Sequence, residues 1–477
     1  MSFLSPWFPP FLAAVLLGLR LLPNVGARHA FLLVANLVFY AAGTPWFVLV
    51  LLVPSVVDYW CAIRMEDTAD ARTRRQWLVL SLAVNLGVLA YFKYSNFFAD
   101  NLAALFGVAT APISFVLPVG ISFFTFKTMS YTIDVYRGLI PASRSLRDYT
   151  MFVSFFPELV AGPIVRASVF MPQMGRSLRV SWRRIRGATP IILLGFTKKL
   201  LVADRLAVFV DPVFQNPELY SRGTLTTAVV AYAIQIYCDF SGYTDIAIGV
   251  ARIIGFDLPE NFDMPYLSTS ITEFWRRWHM TLSSWLRDYL YIPLGGNRKG
   301  RVRTYINLVL TMLLGGLWHG ASWTFVLWGL YHGLGLAAHK LWREWRGPAS
   351  TSVMARVAGW MLTFCFVCGG WVLFRATDLS VATTVFSRIL GAGDGGIKWF
   401  FLPFWVLLPL VVAAHIIGEQ LKHSGGRVAA THAGRHSYLL RAMPAGAGAL
   451  SFLLTVWAIV LFLLVPLQRS PFIYFQF

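Results

Sequence analysis

The chain has 477 residues, of which 57% are hydrophobic and only 13% are charged, a composition that excludes an ordinary soluble protein. Uncharged apolar runs of about 16 to 25 residues recur along the sequence, and about 20 such residues cross a hydrocarbon core. The formal net charge of +19 is carried by short connectors between these runs, so it indicates membrane topology and not nucleic-acid binding. We predict an all-α, polytopic membrane bundle in which residues 1–477 form a single membrane-embedded domain.

The distribution of Arg and Lys sets the predicted topology. The first apolar run, residues 3–22, has neither a basic leader nor a small-residue cleavage site, so we interpret it as a retained span. Connectors rich in Arg and Lys face the cytoplasm, whereas the less basic connectors at 211–223 and 391–396 face outward. Threading the apolar runs through these connectors predicts about ten to twelve crossings, with both termini outside. The connectors placed in the cytoplasm are 64–75, 137–147, 166–186, 276–303, 340–346 and 422–441.

One apolar segment, residues 148–162, is too short to cross the membrane and has basic residues on both flanks. It contains Glu158, whose charge hydrocarbon would not tolerate, so its backbone is predicted to line protein or water as a re-entrant segment. A loop resting at the membrane surface is the alternative interpretation.

Two further acidic residues, Asp239 and Asp245, lie inside the apolar run from Leu225 to about Val250. Carboxylates at that depth need partners, so both side chains are expected to face the interior of the bundle. We interpret them as polar contacts that hold helices together in the bundle interior, with direct chemistry the less favoured role.

The segment from Ser270 to Pro293 predicts an amphipathic helix along the inner membrane surface. It opens with a capping box, Ser270 to Glu273, and large apolar residues recur on one face. His279 falls at the border between the apolar and polar faces, a position typical of an interfacial histidine. Basic residues follow at Arg287, Arg298, Lys299, Arg301 and Arg303; they are expected to anchor the chain to anionic lipid and to attract a phosphate-bearing donor from the cytosol.

Residues 304–339 contain no Asp, Glu, Lys or Arg, and as one helix they would be about 54 Å long, so the chain must turn back. The glycine-rich stretch 315–322 is the predicted bend. The leg before it, Thr304 to Leu314, would reach only about 16 Å, which places the bend and its central residue His319 inside the membrane. A histidine there is either a functional group or a buried neutral side chain bonded to a backbone carbonyl.

Taken together, six motifs resemble those of the membrane-bound O-acyltransferase superfamily, and specifically its bacterial alginate O-acetyltransferase branch. The resemblance covers nearly the whole chain. Cys238 stands where relatives often carry an aromatic residue, and Lys127 where many carry a polar amide. The motifs in chain order are LPVGISFFTF (117–126), FFPELVAGPIVR (155–166), QIYCDFSGYTDIAIG (235–249), EFWRRWHMTLSSWLRDYLYIPLGGNRKG (273–300), LLGGLWHGASWTFVLWG (313–329) and FIYFQF (472–477).

The resemblance implies that His319 is the essential catalytic residue, that His279 is its companion, and that a tunnel joins the two membrane faces. Acyl transfer to a hydroxyl requires removal of a proton, for which imidazole is suited near neutral pH, and burial favours its neutral form. We therefore expect His319 to act as general base, and His279 to position the donor or stabilise charge on its carbonyl oxygen.

The same resemblance implies a multi-pass protein of the bacterial inner membrane with no metal or bound cofactor. The donor would be acetyl-CoA or another acyl thioester, and the acceptor an exported polysaccharide, reached directly or, as the resemblance favours, through periplasmic acetyltransferase partner proteins. Alginate, cellulose, peptidoglycan and other glycans all stay open as acceptors. D-Alanyl transfer to a cell-wall polymer is an alternative reaction, and a solute transporter is an alternative class, although we see no repeated halves.

Overall fold

The computed structural model describes residues 1–108, 116–176, 178, 180–347, 352–391, 395–424, 447–465 and 470–473. Within these ranges the chain is helical, and its only β-type pairing is an isolated bridge between Tyr220 and Ile397. The predicted all-α fold is confirmed. The basic connector 422–441 and the end of the FIYFQF motif lie largely outside the described residues.

Twenty α-helices are described, and three π-helical and three 3-10 segments join or extend them. The π-helical segments are Ala90–Tyr94, Thr197–Ala203 and Arg287–Tyr291, and the 3-10 segments are Met171–Gly175, Pro217–Leu219 and Pro265–Leu267. The α-helices are α1 Phe8–Leu21, α2 Val25–Ala41, α3 Phe47–Asp67, α4 Ala71–Leu89, α5 Ser95–Phe106, α6 Ile121–Tyr136, α7 Leu146–Ser154, α8 Phe156–Leu159, α9 Ala167–Phe170, α10 Trp182–Phe196, α11 Asp204–Gln215, α12 Arg222–Ile254, α13 Ile271–Arg277, α14 Met280–Leu286, α15 Arg301–His319, α16 Trp323–Arg346, α17 Val353–Arg375, α18 Leu379–Ile389, α19 Leu402–Ser424 and α20 Ala447–Leu464.

Among the described residues, four helical segments are long and apolar enough to cross a membrane, namely Phe47–Asp67, Ala71–Phe106, Val353–Arg375 and Leu402–Leu421. They support a membrane protein, because each supplies about the 20 apolar residues that a crossing needs. Shorter apolar helices are Phe8–Leu21, Val25–Ala41, Leu379–Ile389 and Gly448–Leu464. The total of about ten to twelve crossings stays a prediction.

The helices group into two compact units. The first comprises residues 1–192 and 246–259, and the second comprises 193–245 and 260–477. In the first unit a polar network is buried among α3, α4 and α6: the Asp58 carboxylate accepts hydrogen bonds from Ser81 Oγ at 2.6 Å and Asn85 Nδ2 at 2.8 Å, and Asn85 Oδ1 accepts one from Thr128 Oγ1 at 2.6 Å. Buried polar groups that satisfy one another fix how these helices pack.

The short segment that contains Glu158 is buried inside the first unit. It forms α7 and α8, and every residue from Tyr149 to Val165 is buried. Glu158 pairs with the ammonium of Lys127, which also donates to the carbonyl oxygen of Phe152. Lys127 thus neutralises the buried carboxylate, and the segment is enclosed by protein, as predicted for the backbone around Glu158.

In the second unit α15 and α16 form a tight antiparallel hairpin. A Cβ on Gly316 would lie 2.3 Å from the Phe325 carbonyl oxygen, and one on Gly329 would lie 2.4 Å from that of Met312. Only glycine therefore allows the two backbones to approach this closely.

The predicted reversal between residues 304 and 339 is confirmed, but the predicted length of the first leg is wrong. Helix α15 does not stop at Leu314: it continues through Gly315 and Gly316 to His319, and the chain reverses over 320–322. Gly315 and Gly316 therefore lie inside α15 and contribute to helix packing. They do not form the predicted bend. The leg therefore has 19 residues, about 28 Å.

Gly329→Ala is expected to destabilise the protein by about 1–3 kcal/mol, because the added methyl group meets backbone that cannot move without separating α15 from α16. Gly87→Ala is the matched control: Gly87 is an exposed glycine in the last turn of α4, within the continuous helical segment Ala71–Phe106, and has open space around it. There alanine should be neutral or slightly stabilising. The measurement is the thermal unfolding temperature in detergent, and equal temperatures for the two variants would contradict the packing argument.

Candidate active site

His319 is the last residue of α15 and is only 5% exposed. The following residue, Gly320, is extended (φ −158°), so the chain leaves the helix directly after the histidine. The last carbonyl groups of a helix carry partial negative charge, which favours positive charge on a neighbouring side chain. His319 is thus held where a proton taken up by its ring is stabilised.

Aromatic rings surround the His319 imidazole. The ring centroids of Trp318, Trp328 and Phe374 lie 5.0, 5.0 and 5.1 Å from it, and each ring meets it edge to face. Phe325 stacks at 6.5 Å. These side chains come from α15, α16 and α17, so three helices fix the orientation of the ring in an apolar environment.

His279 lies at a break in the predicted amphipathic helix. The N-terminal cap is confirmed, because the Glu273 N–H donates to Ser270 Oγ at 3.2 Å. The prediction of one continuous helix is wrong: α13 ends at Arg277, α14 begins at Met280, and His279 between them adopts a left-handed conformation (φ 41°, ψ 54°). His279 is also 0% exposed, so it does not lie at the border of an exposed polar face.

Asn261 fixes the protonation pattern of His279. The Asn261 Oδ1 atom accepts from the Thr281 N–H at 3.2 Å and from the Thr281 hydroxyl at 2.7 Å, and it lies 3.1 Å from His279 Nδ1. Because a backbone N–H needs an acceptor, the shared Asn261 atom is the oxygen, and Nδ1 carries the proton that it donates. The neutral ring consequently has its lone pair on Nε2.

His279 lies outside the four candidate membrane spans, and its burial lowers its pKa to about 3. The cause is the loss of hydration of the charged imidazolium. His279 is therefore neutral near pH 7.

Trp318 connects the two histidines. Its ring centroid is 6.2 Å from that of His279 and 5.0 Å from that of His319, so the two imidazoles are at most about 11 Å apart. Both belong to the second unit. The structure thus brings together the two histidines predicted from sequence, with an aromatic side chain between them.

A third histidine, His332 on α16, borders the same cluster. It is 0% exposed, and its ring lies 4.8 Å from Trp328 and 5.2 Å from Trp275. Trp328 therefore contacts both His332 and His319, which gives His332 a packing role beside the site.

The two aspartates of α12 pair with adjacent lysines. Asp245 Oδ2 lies 2.7 Å from the ammonium of Lys198, and Asp239 Oδ1 lies 2.5 Å from that of Lys199. Asp239 is fully enclosed, whereas the Lys198 side chain is 20% exposed. The expectation that these two carboxylates have partners is confirmed. Glu158 belongs to the first unit, with Lys127.

The basic residues Arg298, Lys299, Arg301 and Arg303 are exposed around the start of α15. Arg301 is 3.7 Å from Glu344 on α16. His319 ends the same helix, about 27 Å from Arg301 along the axis at 1.5 Å per residue. The structure therefore does not place these cations in the histidine cluster.

Comparison with known proteins shows the family. The model of the membrane-bound O-acyltransferase family matches residues 137–379. A probable alginate O-acetylase from Azotobacter vinelandii is 44% identical over 400 residues, covering 83% of this chain and 79% of that protein. A peptidoglycan O-acetyltransferase from Helicobacter pylori is 36% identical (76% and 73% covered), and a teichoic acid D-alanyltransferase from Bacillus subtilis is 29% identical (55% and 70% covered).

The chain belongs to the membrane-bound O-acyltransferase family. It is accordingly an acyltransferase, which disfavours the transporter alternative. Both histidines of the candidate site fall within the matched residues 137–379. Among the described residues no group of three His, Cys, Asp or Glu side chains is arranged to hold a metal ion.

Two residues that bind side chains of this unit, Asn261 and Lys199, were not predicted from the sequence. Asn261, in the connector before α13, showed no signal because a single Asn in a connector that also contains Pro259 and Asp263 is typical of a turn. Lys199 did carry a signal, since two lysines interrupt the apolar run of α10 and α11 just as two aspartates interrupt that of α12. Opposite charges in neighbouring apolar runs indicate pairing.

Asn261→Asp is expected to add an acid limb to the pH profile of acyl transfer. A carboxylate beside Nδ1 favours the imidazolium, so the His279 pKa rises from about 3. The Nε2 lone pair is then lost as the pH falls through the raised pKa. The measurement is kcat/KM between pH 5 and 8, with Thr281→Val as control because it removes a hydrogen bond to the same oxygen without adding charge. Superimposable pH profiles of the Asn261→Asp and Thr281→Val variants would show that the Nε2 lone pair of His279 has no role in acyl transfer.

Proposed function

We propose that this acyltransferase moves an acetyl group from a cytosolic thioester across the membrane toward hydroxyl groups of an exported, alginate-like polysaccharide. The observation that carries the proposal is the pair of buried histidines joined by Trp318, in a chain 44% identical to a probable alginate O-acetylase. The H. pylori relative named for peptidoglycan O-acetylation also supports acetyl as the group and a glycan as the acceptor.

His319 acts as the general base in this proposal. Its imidazole takes the proton of the acceptor hydroxyl while the oxygen forms a bond to the thioester carbonyl carbon. The carbon–sulfur bond then breaks, and the leaving thiolate takes the proton from the imidazolium, which restores the neutral base. The C-terminal end of α15 stabilises the imidazolium by about 1 kcal/mol. The surrounding aromatic rings keep bulk water from competing with the acceptor.

His279 positions the donor. A neutral ring that donates through Nδ1 presents an acceptor at Nε2, and an acyl-CoA-type donor carries amide N–H groups along its pantetheine arm. Stabilising negative charge on the carbonyl oxygen would need a hydrogen on Nε2, so donor positioning fits this tautomer better than charge stabilisation does.

The basic cluster at the start of α15 captures the donor's phosphates. Arg301 and Arg303 occupy the first turn of the helix, where the helix dipole disfavours positive charge. They therefore do not stabilise α15 locally, whereas a bound anion would be attracted by both the cations and the helix N-terminus. The distance of about 27 Å to His319 requires an extended donor with its charge at one end and its thioester at the other.

The proposed location is the bacterial inner membrane, with the basic cluster in the cytosol and the acceptor on the periplasmic side. No metal or cofactor takes part; acetyl-CoA or another acyl thioester is a co-substrate. A relay through periplasmic acetyltransferase partners completes delivery to the polymer. The D-alanyltransferase relative is 29% identical, so D-alanyl transfer is the less favoured reaction.

His319→Ala is expected to lower acetyl transfer by about 10² to 10⁴, because the reaction loses its general base. Purified protein in proteoliposomes is given acetyl-CoA and an acceptor oligosaccharide, and ester formation is followed by mass spectrometry. His339→Gln is the control, since His339 is half-buried on α16 and contacts Thr272 instead of the aromatic cluster. Wild-type turnover in the His319 variant would remove this residue from the mechanism.

Replacing Arg298, Lys299, Arg301 and Arg303 together with glutamine should raise the donor KM more than it lowers kcat, since these cations bind charge far from the reacting carbon. Added salt should mimic the effect in the unchanged protein. Vesicles of known orientation, supplied with donor on one side, provide the measurement. Turnover only from the periplasmic side would contradict both the predicted topology and this role for the cluster.

A further inference from the structure

The described carboxyl-terminal residues, 470–473, are held by a buried ion cluster on the second unit. The Lys199 ammonium lies 2.8 Å from Asp204 Oδ1 and 2.5 Å from Asp239 Oδ1, and all three side chains are at most 4% exposed. The same ammonium donates to the Ser470 carbonyl oxygen at 3.0 Å. On the opposite side, the Ile473 N–H donates to Asp239 Oδ2 at 2.8 Å.

These contacts fix the position of residues 470–473, and they do not depend on which side chains the segment carries. Both bonds to the segment involve main-chain atoms, and they flank Pro471 and Phe472 on either side. A cation that is buried between two carboxylates has little freedom to move, because each of its partners would be left unpaired in an apolar interior. The ion cluster therefore sets the register in which the segment lies against α12.

The segment held in this way reaches the wall of the candidate active site. The Phe472 ring lies 4.7 Å from Tyr243 and 5.9 Å from Phe240, and the Phe240 ring lies 4.7 Å edge-on to His279. Asp239 and Phe240 are consecutive residues of α12. One turn of that helix thus anchors the carboxyl-terminal segment and contacts His279.

The backbone around Lys199 departs from regular α-helical geometry. Lys199 lies in the π-helical segment Thr197–Ala203, and such local widening of a helix is frequent at functional sites. Residues in and near this segment also bind helix α20, which precedes residues 470–473: Thr197 Oγ1 accepts from Trp457 Nε1 at 2.9 Å, and Arg205 of α11 donates to the Leu464 carbonyl oxygen at 2.8 Å. Residues far apart in sequence are therefore gathered at one short segment.

We propose that Lys199, with Asp204 and Asp239, is a positioning residue that seats residues 470–473 in the wall of the acyl-transfer site beside His279. The carboxyl-terminal segment is then a part of that site. This inference rests on the proposed function for its catalytic consequence, but the seating of the segment is measurable without any acyl transfer.

Thiol accessibility tests the seating directly. Ile473→Cys places a thiol at a buried position and keeps the backbone N–H; the exposed Cys365 is replaced by serine in the same chain, since the other three cysteines are buried. The rate of reaction with N-ethylmaleimide, followed by mass spectrometry, is expected to rise at least tenfold in Lys199→Met/Asp204→Asn. This pair of changes removes the ammonium and one carboxylate, so the formal charge of the cluster stays the same.

Lys198→Met is the matched control, because Lys198 is the neighbouring lysine and pairs with Asp245 instead. It should leave the labelling rate of the Ile473→Cys thiol unchanged. Equal rates in the Lys199 double variant and the Lys198 variant would overturn the proposed seating.

The catalytic consequence is tested on the segment itself, with a change that leaves Lys199, Asp204 and Asp239 in place. Ile473→Pro deletes the N–H that Asp239 accepts, whereas Ile473→Val keeps it. We expect kcat per folded molecule to be at least tenfold lower in the proline variant than in the valine variant, with donor KM changed less than twofold.

Equal kcat values in the proline and valine variants would show that the segment is no part of the site and would overturn the proposal. Absence of acetyl transfer in the unchanged protein would instead overturn the proposed function, and the labelling rates would still decide whether Lys199 seats the segment.

Discussion

The close contact between α15 and α16 determines how His319, the proposed general base, is enclosed. Gly316 and Gly329 let the two backbones touch, and any larger residue at either position would push them apart. His319 ends one helix, and Trp328 lies on the other, at a ring separation of 5.0 Å. A wider hairpin would remove that contact. The aromatic enclosure of His319, its orientation and its isolation from water all follow from helix packing that only glycine permits.

Burial then places strict conditions on the polar groups of the second unit. An imidazole, a carboxylate or an ammonium that leaves water must find a partner, or else its burial costs several kcal/mol. Asn261 meets this condition for His279, and Lys199 meets it for Asp239. The partner also determines which ring nitrogen of a buried histidine can accept a hydrogen bond. By accepting the Nδ1 hydrogen, Asn261 leaves His279 an acceptor at Nε2. The same bond that stabilises the buried ring therefore limits the roles that it can play in catalysis.

The sequence predicted those features that depend on local pattern. The all-helical class, the chain reversal near His319, the cap at Ser270 and the need for partners at Asp239 and Asp245 all follow from hydropathy, glycine content and charge, and the structure confirms each of them. The two histidines and their family could also be recognised from motifs.

The features that the sequence could not predict are those set by distant residues. Residues 270–293 have the periodicity of one helix, yet the Met280 N–H bonds to the Asn261 carbonyl oxygen and the Asp263 N–H bonds to that of Arg277. These bonds to an earlier connector break the helix and place His279 in a left-handed conformation. The bonds between Lys199 and Ser470 join positions 271 residues apart. No periodicity in a short window can report contacts of either kind.

Helix α15 gives the proposed reaction its geometry. The cations at its beginning and the imidazole at its end are attached to one rigid rod, so the distance between donor recognition and chemistry is fixed by helix length and not by loop motion. Binding energy gained from the phosphates can then hold the thioester at the histidines only if the donor has a matching length. A short acyl thioester that lacks the charged end would reach the site without this constraint and would lose orientation. In the proposed function, the protein therefore selects its donor by length as well as by charge. The length of helix α15 sets the length that the donor must have.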